Sequence, residues 1–144
     1  RGLDDAMAIR TELEKTPQNV VVVGAGFIGA EVAATARERG LSVTMIEAAE
    51  VPFERVLGKE MGNVTADVHR DHGVNVITGI PVESFKGESR VEKVVLGDGT
   101  EIAADVVIVG IVVRIVLPDR RGGECVWSAM QPCHPGHDKW QCEA

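Results

Sequence analysis

Between residues 3 and 109 the spacing of apolar positions changes several times, and each change marks an element. In Leu3 to Lys15, the residues Ala6, Ile9 and Leu13 stand at i, i+3 and i+7, one face of a helix, with Asp4 as candidate cap and Pro17 as stop. Val20 to Val23 is an unbroken β-branched run, the pattern of a strand buried on both faces of a parallel sheet. A glycine-rich turn follows. From Ile28 onward, Val32, Ala33 and Ala36 share a helical face, and Gly40 supplies the residue that closes it. Ser42 to Glu47 reads as a second strand, so residues 19–47 have the length of a βαβ unit with a right-handed crossover.

Further on, Leu57, Met61, Val64 and Val68 recur at intervals of four, three and four, which predicts a second crossover helix stopped by Gly73. Val74 to Ile77 follows as a third parallel strand. The period then shortens: Val82 to Phe85, Val91 to Leu96 and Thr100 to Ile102 are short strands separated by turn residues such as Gly97-Asp98-Gly99, the pattern of an antiparallel meander. Asp105 to Val109 returns the chain to the parallel sheet. The predicted class is α/β, a Rossmann-like parallel sheet with helices on both faces and an antiparallel three-stranded meander crossover. After about Arg114 no period persists, and the last 30 residues hold every cysteine, both tryptophans and half of the prolines. The expected organisation is a binding domain over residues 1–111 and an atypical tail over 112–144, disordered or non-native.

Composition narrows the classes of function. A chain of 144 residues has room for one core, with 44% hydrophobic and 26% charged residues. A net charge of -7 without a basic stripe argues against nucleic acid, where affinity comes from cations displacing counterions. No run of 18 apolar residues suggests a membrane span and no apolar leader opens the chain, so a cytoplasmic protein is expected. Three cysteines, an odd number without secretory context, argue against a disulfide framework.

The chemistry concentrates in G-x-G-x-x-G. Gly24, Gly26 and Gly29 fall between a predicted strand and a predicted helix, and Glu47 closes the next strand. Gly24 permits the tight turn, Gly26 admits a pyrophosphate close to the backbone, and Gly29 lets the helix lie on the strand. The anion would rest on unpaired N–H groups at the helix N-terminus, favoured by its dipole. Glu47 is 18 residues beyond Gly29, near the spacing at which a carboxylate accepts hydrogen bonds from the adenosine ribose. Against the 2′-phosphate of NADPH at about 4 Å it would exert a repulsion of about 4 kcal/mol per unit charge at an effective dielectric near 20. Ala48 and Ala49 offer no rescuing cation, so NADH is expected over NADPH.

Competing readings are weaker. The same turn could serve an α/β protein that binds SAM, a flavin adenosine or nothing. His69 and His72 read as part of a solvated helix end rather than ligands. Cys125, Cys133, His134, His137 and Cys142 lack the C-x-x-C spacing of structural zinc sites, so no metal is expected. No Ser-His-Asp arrangement or redox C-x-x-C pair is recognisable, and no catalytic residue is assigned.

The ordered series Leu3-Asp4-Asp5-Ala6, VVVGAGFIGAEVAATARERGLSVTMIEAAE, ERVLGKEMG, HRDHGV and LGDGTEIAADVVIVG resembles the NADH-binding domain of the ferredoxin and rubredoxin reductase family, over residues 1 to about 111. Members include reductase components of dioxygenase and cytochrome P450 systems. The resemblance implies a flavoprotein in which NADH reduces FAD and the flavin passes electrons to a ferredoxin- or rubredoxin-type acceptor. It implies that Phe27 and Ile28 line the cofactor site, that Glu31 lies near the nicotinamide, that Arg55 flanks the adenine, and that Gly110 belongs to the turn near the nicotinamide. From the residues alone, Glu31 reads equally as an acid favoured by the helix dipole and Arg55 as a solvated loop cation. The sequence departs from the family after Gly110-Ile111, and the flavin-binding segments of the family are absent. FAD is therefore not expected in this chain, whose tail reads as a truncated or out-of-frame product joined near residue 112. The alternative is a stand-alone module that binds NAD or adenine nucleotides without turnover, and a third reading makes the tail a metal- or partner-binding appendage.

Overall fold

The computed structural model describes residues 2–111 and, as backbone, 113–118 and 124–129. Helix α1 (Leu3–Glu14) leads into strand β1 (Asn19–Val23), helix α2 (Phe27–Glu38) and strand β2 (Ser42–Glu47). Helix α3 (Glu54–Asp71) and strand β3 (Asn75–Thr78) complete the second crossover. Strands β4 (Val82–Lys86), β5 (Lys93–Leu96) and β6 (Glu101–Ala103) form the meander, and β7 (Val106–Val109) returns to the main sheet. That sheet is parallel throughout, in the order β3-β2-β1-β7.

The valines of β1 alternate between two hydrophobic layers, because successive side chains of a strand point to opposite faces. Val20 and Val22 pack with Leu13, Ala33, Ala36, Met45 and Ile108, whereas Val21 and Val23 pack with Ile46, Val94, Leu96 and Ala104. The small face of α2 and one leucine of α1 therefore cover one side of the sheet, and the meander covers the other. Helices had been expected on both faces; the meander strand β5 takes the second position. Its turn is as the glycines predict: Gly99 has φ +84°, and Asp98 accepts from the Thr100 amide at 2.9 Å. At the opposite end, Asp105 accepts from the amides of Gln18 (3.0 Å) and Asn19 (2.9 Å), fixing the start of β1 against that of β7.

Three local expectations are corrected. The cap of α1 is Gly2, whose amide donates to Asp5 at 3.0 Å, so Asp4 lies inside the first turn. Of the predicted α1 face only Leu13 is buried, and Ile9 is 39% exposed. Helix α3 exists, but its apolar stripe faces outward, with Met61 at 51%, Val64 at 53% and Val68 at 50% exposure. Its buried positions are Gly62 and Ala66, and the lack of a side chain at Gly62 lets the helix backbone approach Val51 and Pro52 closely. The helix is also interrupted at Gly58 (φ +76°), which separates Leu57 from the rest of the stripe.

Strands β8 (Val113–Pro118) and β9 (Glu124–Ala129) form an antiparallel hairpin where no element had been assigned. The remaining expectations for the tail, including those for Cys133, His134, His137 and Cys142, lie outside the described residues. Among the described residues no group of His, Cys, Asp and Glu is arranged to hold a metal ion, and no helix is long and apolar enough to cross a membrane.

Candidate dinucleotide-binding site

Each end of the glycine turn is fixed by the sheet. The Gly24 amide donates to the Ile46 carbonyl at 2.7 Å, and the Gly110 amide donates to the Val23 carbonyl at 2.7 Å. Gly24 has φ +97°, a conformation that side chains disfavour, and a Cβ there would lie 2.9 Å from both the Gly110 carbonyl oxygen and Ile111 Cγ2. A Cβ on Gly29 would collide with the Gly24 carbonyl oxygen and reach 3.4 Å from Val22. Gly26 differs, because a Cβ added to it would meet no atom of the described residues within 4 Å. Gly24 and Gly29 therefore allow close packing, and Gly26 leaves the surface over the start of α2 open.

Gly26 is the N-cap of α2 and provides no side-chain hydrogen bond to it. The N–H groups of a first helical turn lack intrahelical partners and attract anions, so this end of α2 suits a pyrophosphate. Phe27 and Ile28 lie beside it, 63% and 50% exposed. Glu31, one helical turn further on and exposed, shares their side of α2.

Glu47 ends β2, where its carboxylate is already engaged. Oε2 accepts from the Ala25 amide at 2.7 Å, and Oε1 accepts from the Ala49 amide at 3.0 Å. Each oxygen retains lone-pair capacity for a hydroxyl donor. The sequence indicated Glu47 as a ribose acceptor and gave no sign that it also holds the glycine turn. Arg55 is exposed on the first turn of α3. Nearby, Lys59 is paired with Glu50 and lies 3.8 Å from Glu54, so its charge is neutralised locally.

Phe53 went unnoticed in the sequence. It stands before α3 with φ +55°, donates its amide to the Ala25 carbonyl at 3.3 Å, and sets its ring 4.9 Å from that of Phe27 at 58°. The signal available was Pro52-Phe53 directly ahead of a helix, a rigid approach to a helix start. The structure thus brings together Gly24, Gly26, Phe27, Gly29, Glu47 and Gly110, with Ile28 and Glu31 along α2. Arg55 makes no side-chain hydrogen bond or ion pair with any of them. His69 lies elsewhere, half-buried in a groove of about 350 Å³ between α2 and α3, where burial and then the neighbouring His72 lower its pKa.

The model of the pyridine nucleotide-disulphide oxidoreductases matches residues 1–125. Rhodocoxin reductase of Rhodococcus erythropolis is 42% identical over 94 residues, which is 65% of this chain and 22% of that protein. A ferredoxin reductase from Rhodopseudomonas palustris superposes with a TM-score of 0.74 at 37% identity, over 84% of this chain and 29% of that one. Putidaredoxin reductase, in its covalent complex with putidaredoxin, gives a TM-score of 0.73 at 38% identity, over 77% of this chain and 27% of that one. The chain therefore spans about a quarter of the length of these relatives. The parallel sheet, the glycine turn and the acid at the end of β2 all fall within the matched residues, and the chain belongs to the pyridine nucleotide-disulphide oxidoreductase family.

Proposed function

We propose that this chain is the NADH-binding part of a cytoplasmic, FAD-dependent reductase that passes electrons from NADH to a ferredoxin- or rubredoxin-type acceptor, with residues 1–111 as the binding domain. The observation that carries this reading is the joint geometry of the open Gly26 and of Glu47, whose carboxylate meets the backbone of the same turn. Gly24, Gly26 and Gly29 would cradle the pyrophosphate at the start of α2. Glu47 would accept from the adenosine ribose and Arg55 would flank the adenine. Phe27 and Ile28 would line the cofactor site, and Glu31 and Gly110 would lie near the nicotinamide end. Bound NADH supplies a hydride; the chain's own part is to hold it in place and shield one side of it. The carboxylate of Glu47 would repel a 2′-phosphate, and the pairing of Lys59 with Glu50 removes one neighbouring cation from compensating.

The described residues contain one glycine turn of this kind, which fits a nicotinamide dinucleotide. Among the described residues there is no second such turn for a flavin adenosine. In a second reading the chain binds NAD or an adenine nucleotide and catalyses nothing. Calorimetry with NADH and NADPH, an absorbance scan for flavin and NADH-dependent reduction of a ferredoxin test both. NADH binding at least tenfold tighter than NADPH supports the first proposal's site, and equal affinities overturn its specificity. Binding without flavin absorbance or turnover is expected of this chain under both readings, and NADH-dependent reduction of a ferredoxin once a flavin-binding partner polypeptide is supplied would select the first. Saturation to 100 times the dissociation constant would add about 2.7 kcal/mol of stability.

A further inference from the structure

We infer that residues 51–53 form a strap that fixes the glycine turn, and that Phe53 is a positioning residue for the dinucleotide, set from beneath by Gly62. The inference rests on the proposal that the turn binds a dinucleotide. Both backbone groups of Ala25 are taken by the stretch from the end of β2 to the start of α3: its amide by Glu47 at 2.7 Å and its carbonyl by the Phe53 amide at 3.3 Å. The same residue sends its ring to Phe27, the first residue of α2, at 4.9 Å. A phenylalanine at φ +55° is an uncommon conformation, and such residues persist where the surroundings determine them.

The strap is also held from the other side. Val51 and Pro52 are buried, and α3 reaches them at Gly62. A Cβ on Gly62 would lie 2.5 Å from the Pro52 carbonyl oxygen and 2.5 Å from Val51 Cγ2. Close packing at Gly62 therefore fixes the height of the strap, the strap fixes Phe53, and Phe53 fixes both the carbonyl of Ala25 and the ring of Phe27. Only a ligand that spans the turn from Glu47 to Phe27 needs both in register. In the proposed binding mode an intact dinucleotide runs from Glu47 past the start of α2 to the nicotinamide end, whereas adenosine monophosphate stops at its one phosphate.

The decisive experiment measures NADH and AMP binding by calorimetry to the full chain and to Phe53→Leu, Phe53→Tyr, Phe27→Leu and the double leucine variant. Phe53→Leu should weaken NADH about three- to tenfold, the range expected for losing one aromatic pair, with AMP changed less than about twofold. Phe53→Tyr should restore NADH affinity, and the double variant should lose no more than either single one. Gly62→Ala should repeat the selective loss of NADH affinity if it folds; if it does not, the Phe53 variants decide. Unchanged NADH affinity in folded Phe53→Leu, or equal losses for NADH and AMP, overturns the positioning role. Failure of the unaltered chain to bind either nucleotide overturns the binding proposal itself and the inference with it.

Discussion

Replacing Glu47 by alanine should damage the fold and the cofactor choice together. The carboxylate accepts from the amides of Ala25 at 2.7 Å and Ala49 at 3.0 Å, and the variant leaves both N–H groups without this partner. Hydrogen bonds to a charged group contribute about 1.5–3 kcal/mol each. Glu47 is only half-buried, so water can take over part of the loss, and a total near 2 kcal/mol is expected. For a chain of this size that corresponds to a Tm lowered by roughly 6–10 °C. Glu47→Gln separates the two effects: its amide oxygen can still accept one of the two bonds, while the charge facing a 2′-phosphate is gone. Thermal unfolding should therefore place the glutamine variant between the parent and alanine. Calorimetry should find the preference for NADH over NADPH reduced about tenfold, equivalent to roughly 1.4 kcal/mol. An alanine variant with the parent's Tm would refute the clamping role, and a glutamine variant with the parent's nucleotide preference would refute the electrostatic one.

Gly29→Ala should unfold the chain or lower its stability by more than the roughly 1–3 kcal/mol usual for overpacking, because the new methyl meets the Gly24 carbonyl, as denaturant titration would detect. Gly26→Ala should stay folded, losing about 1 kcal/mol at most from a poorer helix cap, yet bind NADH more weakly, which calorimetry tests. Glu101 bridges Lys86 and Lys93 across the meander at 2.7 Å each, and hydrogen bonds from these two lysines lower its pKa from 4.5 to about 2. A depressed folded-state pKa means stabilisation that is complete above about pH 4.5 and lost as pH falls toward 2, so Glu101→Gln should flatten acid unfolding in that window. Because all three groups are exposed, 0.5 M salt should shrink the difference between parent and variant.

The parallel sheet was legible because its strands are continuous apolar runs whose two faces are both covered, as at Val20 to Val23. The glycine turn was legible for a different reason: Gly24, Gly26 and Gly29 carry spacing that few other structures require. What escaped was tertiary. The stripe Met61, Val64 and Val68 has helical spacing, but spacing cannot say which neighbour a helix meets, and α3 meets Val51 and Pro52 through Gly62. Glu47 could be picked out as an acid at a strand end, whereas its bond to Ala25 depends on a register between β1 and β2 that pairs Val23 with Ile46. Phe53 was hidden because Pro52-Phe53 marks only the approach to a helix and not a left-handed aromatic residue. Its conformation follows from two anchors, Ala25 and Phe27, that lie 28 and 26 positions earlier.

The three glycines of the motif do not argue equally for a ligand. Gly24 and Gly29 are required by the protein itself: one by its positive φ and the backbone of Gly110, the other by the carbonyl of Gly24. A fold of this shape would need them even if it bound nothing. Gly26 faces no such constraint, since its φ of -83° is open to any residue and, among the described residues, no atom occupies the space where a side chain would go. On structural grounds alone a serine or aspartate would cap α2 better. The missing cap and the open space are accounted for together if something from outside supplies the acceptor for the first-turn N–H groups, and an anion is what those groups and the helix dipole favour. In the proposed binding mode Glu47 would limit which anion: its carboxylate, fixed by Ala25 and Ala49, would accept from ribose hydroxyls and oppose a second phosphate. The weight of the functional reading therefore rests on Gly26 and Glu47, and a variant series at these two positions tests function where one at Gly24 or Gly29 would mostly test folding.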